Sequence, residues 1–116
     1  MAENLTRGVV LAQRVRRADT FGRRLRGLLF APPLRPGEAL WIVPCRSIHT
    51  FAMRYTIDAV FLDADGRVVH VCSHLAPWRA TRVVPRARTV LELPAGVVEQ
   101  SGTRPGDRIR IHDGSG

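Results

Sequence analysis

A short segment in the middle of the chain, Ile57–Leu62, is apolar at every position except Asp58 and leads directly into the turn sequence Asp63-Ala64-Asp65-Gly66. A strand that is apolar on both faces belongs inside a sheet, because both faces must be covered. Asp-Gly is typical of hairpin turns, and residues 67–73 then read as the returning strand. This hairpin constrains the fold of the 116-residue chain more than any other segment.

Several other short segments are rich in β-branched and aromatic residues and are separated by Pro and Gly turns, which is typical of antiparallel β proteins. One stretch differs, because the apolar residues between Phe21 and Leu29 recur at helical spacing after a capping residue, Asp19 or Thr20. We therefore predict a mainly β fold that leans towards α+β. It would be a compact antiparallel β-sandwich or barrel with one N-terminal amphipathic helix. The remaining predicted strands are residues 8–12, 39–43, 89–93 and 108–112, with one helical turn over 97–101 that Gly102 closes.

The length predicts a single domain over residues 1–116, with a core from about residue 8 to 112. The densest apolar run, residues 39–43, is far shorter than the ~20 residues of a membrane-spanning helix. Two cysteines are too few for a disulfide scaffold, and the first residues lack the pattern of an export signal. We expect a cytoplasmic protein that does not enter a membrane.

All 18 basic residues are arginines, and the formal net charge is +8. The absence of lysine excludes Schiff-base chemistry, lysine-anchored pyridoxal phosphate and a phosphate-binding loop of the lysine type. No cofactor is expected. The positive charge suggests acidic partners, although an arginine bias in the source genome would produce the same composition.

The densest polar segment is residues 45–58, which lies between two predicted buried strands. Asp58 could orient His49 as a general base, because a carboxylate can hold one imidazole nitrogen and leave the other available. The nucleophile would then be one of Cys45, Ser47 and Thr50. The structural alternative, which we favour, is that Asp58 pairs with Arg54 and anchors this segment to the central strand.

A second carboxylate, Glu92, lies between Leu91 and Leu93 in a predicted buried strand. Because an unpaired buried charge is costly, we expect Arg54 to contact Asp58 or Glu92. His49 should open onto the same pocket.

Two further sites are weighed and ranked lower. His70, Cys72 and His74 alternate along one strand, and Cys45 and His49 lie nearby in the sequence, but the paired spacing of structural zinc sites is absent. We therefore predict no metal site. The other site is a possible nucleic-acid surface around Trp78, in a proline-rich stretch with Arg79, Arg82, Arg86 and Arg88.

Several motifs together resemble a known family. His49-Thr50-Phe51-Ala52-Met53-Arg54-Tyr55-Thr56-Ile57-Asp58 is similar to the central motif of domain of unknown function family 192, also called uncharacterised protein family 0127. Ala52 here separates the aromatic residue from Met53. The earlier Gly27-Leu28-Leu29, the later Leu91-Glu92-Leu93-Pro94-Ala95-Gly96 and the closing Gly106-Asp107 follow the family in the same order.

The resemblance implies a compact, mostly β domain without an assigned activity, cofactor or substrate. Its motif residues, carried onto this chain, are Gly27, His49, Met53, Arg54, Asp58, Glu92 and Gly96.

The leading functional hypothesis is a non-catalytic module that binds a small polar or anionic ligand, or a partner segment, beside residues 45–58. Its expected ligand-binding residues are His49, Met53, Arg54, Asp58 and Glu92. The alternative is a small hydrolase-like enzyme that uses His49 and Asp58, and the third hypothesis is a nucleic-acid binder. The oligomeric state is not predicted.

Overall fold

The computed structural model of this chain describes residues 1–19, 33–48, 50 and 55–112. These residues form a mainly β structure with two sheets and one short helix, α1 (Val97–Ser101). The strands of the described residues, β1 to β8 in chain order, are Ala2–Asn4, Val9–Ala12, Arg14–Ala18, Glu38–Ile42, Ile57–Leu62, Val68–Leu75, Thr89–Pro94 and Ile109–Ile111.

The larger sheet has five strands in the order β3-β4-β7-β5-β6, and the smaller has three in the order β2-β1-β8. Every pairing except the parallel β3–β4 pair is antiparallel. The predicted antiparallel β architecture is thus confirmed, but the closed barrel is not. Among the described strands, β3 and β6 have a neighbour on one side only, so the larger sheet stays open.

The predicted N-terminal helix over residues 18–30 falls almost entirely on residues 20–32, which lie outside the described residues. Its first residue, Ala18, instead ends β3. The sequence did not predict β3, because three of its five residues are arginines. The strand forms through its parallel pairing with β4, with the side chain of Val15 buried.

The predicted hairpin is confirmed. β5 is buried at all six positions and lies between β6 and β7. Because its side chains alternate between the two faces of the sheet, it contributes to two hydrophobic clusters. The first cluster, which includes Val60 and Leu62, faces the three-stranded sheet, and the second, which includes Ala59 and Phe61, lies on the opposite face.

The short helix α1 is also confirmed and ends at Gly102, whose φ of 72° is left-handed. Within the described residues, we find no helix with the length and apolar character that crossing a membrane would require.

A buried polar network joins the start of the chain to the turn before β8. The carboxylate of Asp107 accepts hydrogen bonds from Asn4 Nδ2 at 2.9 Å, Arg7 Nε at 2.8 Å and the backbone N–H of Arg104 at 3.2 Å. Burial alone would raise the pKa of Asp107, but these donors and the positive charge of Arg7 outweigh it and hold the pKa below its usual value.

This network predicts a specific loss of stability in acid. A carboxylate with a depressed pKa in the folded state stabilises the fold above its unfolded pKa, about 4, and loses that contribution as the pH falls through the folded value. Asp107→Asn should therefore lower the free energy of unfolding at neutral pH and reduce its decline below about pH 4. Urea unfolding at a series of pH values measures both effects. An acid decline in Asp107→Asn as steep as in the unchanged protein would contradict this prediction.

Candidate functional site

Two irregular segments, one formed by residues 45–48 with Thr50 and the other by residues 76–88, cover the second cluster. Backbone hydrogen bonds of 2.7 to 3.1 Å connect them, and Cys45, Ile48, Val84 and Ala87 from these segments pack into that cluster. We call this pair of segments the cover layer. Its backbone bonds run from Cys45 N–H to the Arg88 carbonyl, Val84 N–H to the Arg46 carbonyl, Thr81 N–H to the Ile48 carbonyl and Thr50 N–H to the Arg79 carbonyl.

The hydroxyl of Thr50, one of the predicted nucleophiles, is occupied in holding this layer together. The residue is 0% exposed. Its Oγ1 donates to the carbonyl of Ala76 at 2.7 Å and accepts the backbone N–H of Arg79 at 2.8 Å. These contacts give Thr50 a structural role at the end of the cover layer.

Asp58 has a comparable structural role on the other side of the sheet. Its Oδ1 accepts the backbone N–H of His74 at 2.8 Å, and its Oδ2 accepts those of Gly96 at 3.1 Å and Val98 at 2.8 Å. Gly96 is the N-cap of α1 and has no side chain to bond the first turn, so Asp58 supplies that acceptor from β5. The carboxylate thereby connects β5, β6 and α1.

The structure separates the two carboxylates that the sequence placed near one pocket. In the β5–β7 pairing, Ala59 lies opposite Glu92 and Asp58 lies opposite Leu93. Paired residues share a face, so Asp58 points towards the first cluster and Glu92, which is 2% exposed, towards the second. Of the two, Glu92 is on the face that the cover layer occupies.

Three predicted ligand-binding residues, His49, Met53 and Arg54, lie outside the described residues. The contact of Arg54 with Asp58 or Glu92 and the orientation of His49 therefore stay predictions. The bonds that Asp58 makes to backbone N–H groups favour Glu92 as the carboxylate of a ligand site.

A cleft opens where the two segments of the cover layer meet near Cys45 and Arg88. It has a volume of about 430 Å³ and is lined by Pro44, Cys45, Arg46, Ser47 and Arg88. The Cys45 thiol, another predicted nucleophile, donates to the carbonyl of Ser47 at 2.9 Å. This hydrogen bond positions the thiol within the wall of the cleft.

Two guanidinium groups of the cleft converge on one atom. Arg46 Nε and Arg88 Nη1 each donate to the carbonyl oxygen of Ala87 at 3.2 Å. The sequence pattern places Arg88 in a basic surface, whereas Arg46 belongs to no such pattern. The two arginines are far apart in the chain, and only the pairing of the cover layer brings them together, so no local sequence signal could have identified the cleft.

The predicted zinc candidates on β6 do not form a metal centre within the described residues. Cys72 Sγ lies 3.5 Å from His70 Nε2, whereas His74 is exposed and has a φ of 56°. Burial raises the pKa of the Cys72 thiol, and the nearby Arg82 opposes this effect only in part. Burial and the charge of Arg82 lower the pKa of His70. A raised pKa disfavours the thiolate, which is the form of cysteine that binds a metal.

The face assignment along β6 also needs correction. Sequence alternation placed Val69 and Val71 together on the inner face. In the structure, Val69 packs against the second cluster and Val71 against the first. Irregularities in the β5–β6 register at two points interrupt the simple alternation.

Comparison with known proteins identifies relatives over nearly the whole chain. The sequence model of the DUF192 family, described as "Uncharacterized ACR", matches residues 3–111. A UPF0127 protein of Pyrococcus horikoshii is 40% identical over 101 residues, which are 83% of this chain and 85% of that protein. A UPF0127 protein of Thermococcus sibiricus is 36% identical over 114 residues, which are 94% of this chain and 73% of that protein.

Two solved structures share the fold. A protein of unknown function from Novosphingobium aromaticivorans superposes with a TM-score of 0.79 at 21% identity, over 95% of this chain and 82% of that one. A putative transcription regulator from Sinorhizobium meliloti gives a TM-score of 0.68 at 24% identity, over 83% of this chain and 79% of that one. At these identities the likeness extends to the fold alone.

Proposed function

The chain belongs to the DUF192 family, which is described only as uncharacterised, and from its own site we propose that it is a non-catalytic domain that binds a small anionic ligand. The binding site would be the cleft that Arg46 and Arg88 line, at the start of the 45–58 segment. A phosphate or carboxylate group is the ligand chemistry that two neighbouring guanidinium groups recognise best.

The convergence of two like charges is the observation that supports this proposal. Because both donor nitrogens contact the same Ala87 oxygen, they cannot be further apart than twice the length of one hydrogen bond. Like charges this close repel, and an anion between them would relieve the repulsion. The ion pair seen between two described residues is that of Arg7 with Asp107, so neither cleft arginine is paired with a carboxylate of the described part of the chain.

The arginines are also held in place before any ligand arrives. Arg46 Nε donates to one backbone carbonyl, and Arg88 Nη1 donates to two, those of Ala87 and Pro85. A guanidinium carries five N–H donors, so several stay available for an anion. Preorganised donors reduce the entropy cost of binding. The volume of the cleft, about 430 Å³, lies within the usual range for small-molecule sites.

The hydrolase alternative has weaker support. It requires Asp58 to orient His49, but both Asp58 oxygens already accept backbone N–H groups on the face opposite the cover layer. A binding module needs no such dyad.

Neither cysteine, both of which are described, forms a disulfide, and this agrees with the cytoplasm as the proposed compartment.

Phosphate binding tests the proposal directly. Inorganic phosphate, titrated at constant ionic strength, should bind with a measurable heat and raise the melting temperature. Arg46→Ala and Arg88→Ala should each weaken binding by about 10- to 150-fold, the range for losing one hydrogen bond to a charged group. Isothermal titration calorimetry measures the dissociation constants.

The matched control is Arg110→Ala, which removes one exposed arginine from β8 in the other sheet. It should bind phosphate as the unchanged protein does. Equal weakening in all three variants would mean attraction by net charge alone and would overturn the proposal. Absence of any heat or melting shift at about 10 mM phosphate, ten times a millimolar dissociation constant, would also overturn it.

A further inference from the structure

The cover layer presents one large aromatic side chain to solvent at the end away from the cleft. Trp78 is 66% exposed and has a φ of 63°, a left-handed conformation that is strained for a bulky residue. The backbone N–H of Trp78 donates to the Thr50 carbonyl at 3.1 Å, and the backbone N–H of Arg79 donates to the Thr50 hydroxyl at 2.8 Å. The buried Thr50 thus holds the backbone in the conformation that projects the indole outward.

The segment that carries Trp78 is strongly basic. Arg79, Arg82 and Arg86 are exposed on the same segment, and none of them forms an ion pair within the described residues. Residues 66–91 contain five arginines and no Asp or Glu, so no acidic residue of this segment neutralises their charge. Positive charge of this density attracts a polyanion.

We propose that Trp78, Arg79, Arg82 and Arg86 form a binding surface for single-stranded nucleic acid. The indole would stack on an unpaired base, and the arginines would contact the phosphates on either side. Single strands are the fitting class because stacking on a projecting aromatic ring requires a base that is not already stacked within a duplex. This surface is independent of the proposed anion cleft, which uses Arg46 and Arg88.

The dimensions of the surface limit the length of strand in contact. The cover layer pairs Thr50 with the Trp78 end and Cys45 with Arg88. Even a fully extended chain of six residues spans at most roughly 20 Å, so Cys45 and Thr50 can be no further apart than that. A single nucleic-acid strand lying along the cover layer would therefore contact it through a few nucleotides rather than through a long tract.

Binding to a fluorescently labelled oligothymidylate of about 16 nucleotides, within the range of sites on single-strand binding folds, tests the proposal. Anisotropy should rise on titration with protein, and stacking should quench the emission of Trp78. Trp78→Ala should weaken binding by about 5- to 150-fold, as expected for the loss of one stacked base. Arg82→Ala should reduce the slope of log affinity against log salt by about 0.7, the share of one phosphate contact on a single strand.

Arg110→Ala, which lowers the net charge equally at a distant exposed site, should leave the affinity unchanged. Thermal melting of each variant, compared with that of the unchanged protein, establishes that the fold is retained before the affinities are compared. The proposal is overturned if a duplex of equal length binds more tightly, if Trp78→Ala binds normally, or if Arg110→Ala weakens binding as much as Arg82→Ala. Trp78-dependent binding to phosphatidylserine vesicles without binding to the oligonucleotide would overturn it in favour of a membrane surface.

Discussion

Asp58→Ala should lower the free energy of unfolding by about 3–5 kcal/mol, among the largest effects of a single substitution in this protein. The change removes the acceptor of three backbone N–H groups, those of His74, Gly96 and Val98. Each buried donor left without a partner costs about 1–3 kcal/mol, and partial relaxation of α1 would recover some of this loss. Urea unfolding at neutral pH, followed by far-ultraviolet circular dichroism, measures the change.

Asp65→Ala is the matched control, because its carboxylate is exposed in the turn between β5 and β6 and makes no hydrogen bond in the structure. Its effect should stay within about 0.5 kcal/mol. Asp58→Asn should fall between the two, since an amide keeps one acceptor oxygen but turns an NH₂ group towards the remaining N–H donors. If Asp58→Ala is as stable as Asp65→Ala, the capping role of Asp58 is wrong.

Gly66→Ala should destabilise the protein by about 2–4 kcal/mol, combining the left-handed backbone penalty with a steric clash. Gly66 closes the β5–β6 turn with a φ of 81°. A Cβ added there would lie 2.6 Å from the carbonyl oxygen of Ile109, which is backbone and cannot rotate away. The turn and β8 would have to separate, although the N–H of Ile109 donates to the Gly66 carbonyl at 2.8 Å.

Gly37→Ala separates the two contributions. Gly37 has a similar φ of 85°, but an added Cβ would meet no atom within 4 Å. It should therefore cost only the backbone penalty, about 1–2 kcal/mol. If Gly66→Ala and Gly37→Ala lose the same free energy of unfolding in urea, the steric clash with the Ile109 carbonyl does not contribute to the destabilisation.

The elements that could be predicted from the sequence are those whose determinants are local. The β5–β6 hairpin follows from an apolar strand and an Asp-Gly turn a few residues away, and α1 follows from a short run closed by Gly102. β1 and β3 were missed because neither is apolar by itself. Each becomes a strand through a partner elsewhere, β8 for β1 and β4 for β3.

The residues of the candidate site show the same difference between local and tertiary determinants. Asp58 could be recognised as a polar residue at the entrance of a buried strand, but its partners Gly96 and Val98 belong to a helix that only the tertiary fold places beside it. The meeting of Arg46 with Arg88 likewise depends on the pairing of two irregular segments without hydrophobic periodicity. Trp78 and its arginines could be identified from the sequence because they share one short segment.

The position of β1 in the middle of the three-stranded sheet affects how the chain can fold during synthesis. β1 pairs with β2 through a short connection, but its other neighbour, β8, follows it in the chain only after all the other strands. Until β8 leaves the ribosome, one edge of β1 carries unpaired N–H and carbonyl groups that could pair with another nascent chain. Contacts between such distant residues also slow folding. Completion of the smaller sheet must therefore wait until β8 has been made, whereas the β5–β6 hairpin can form well before it.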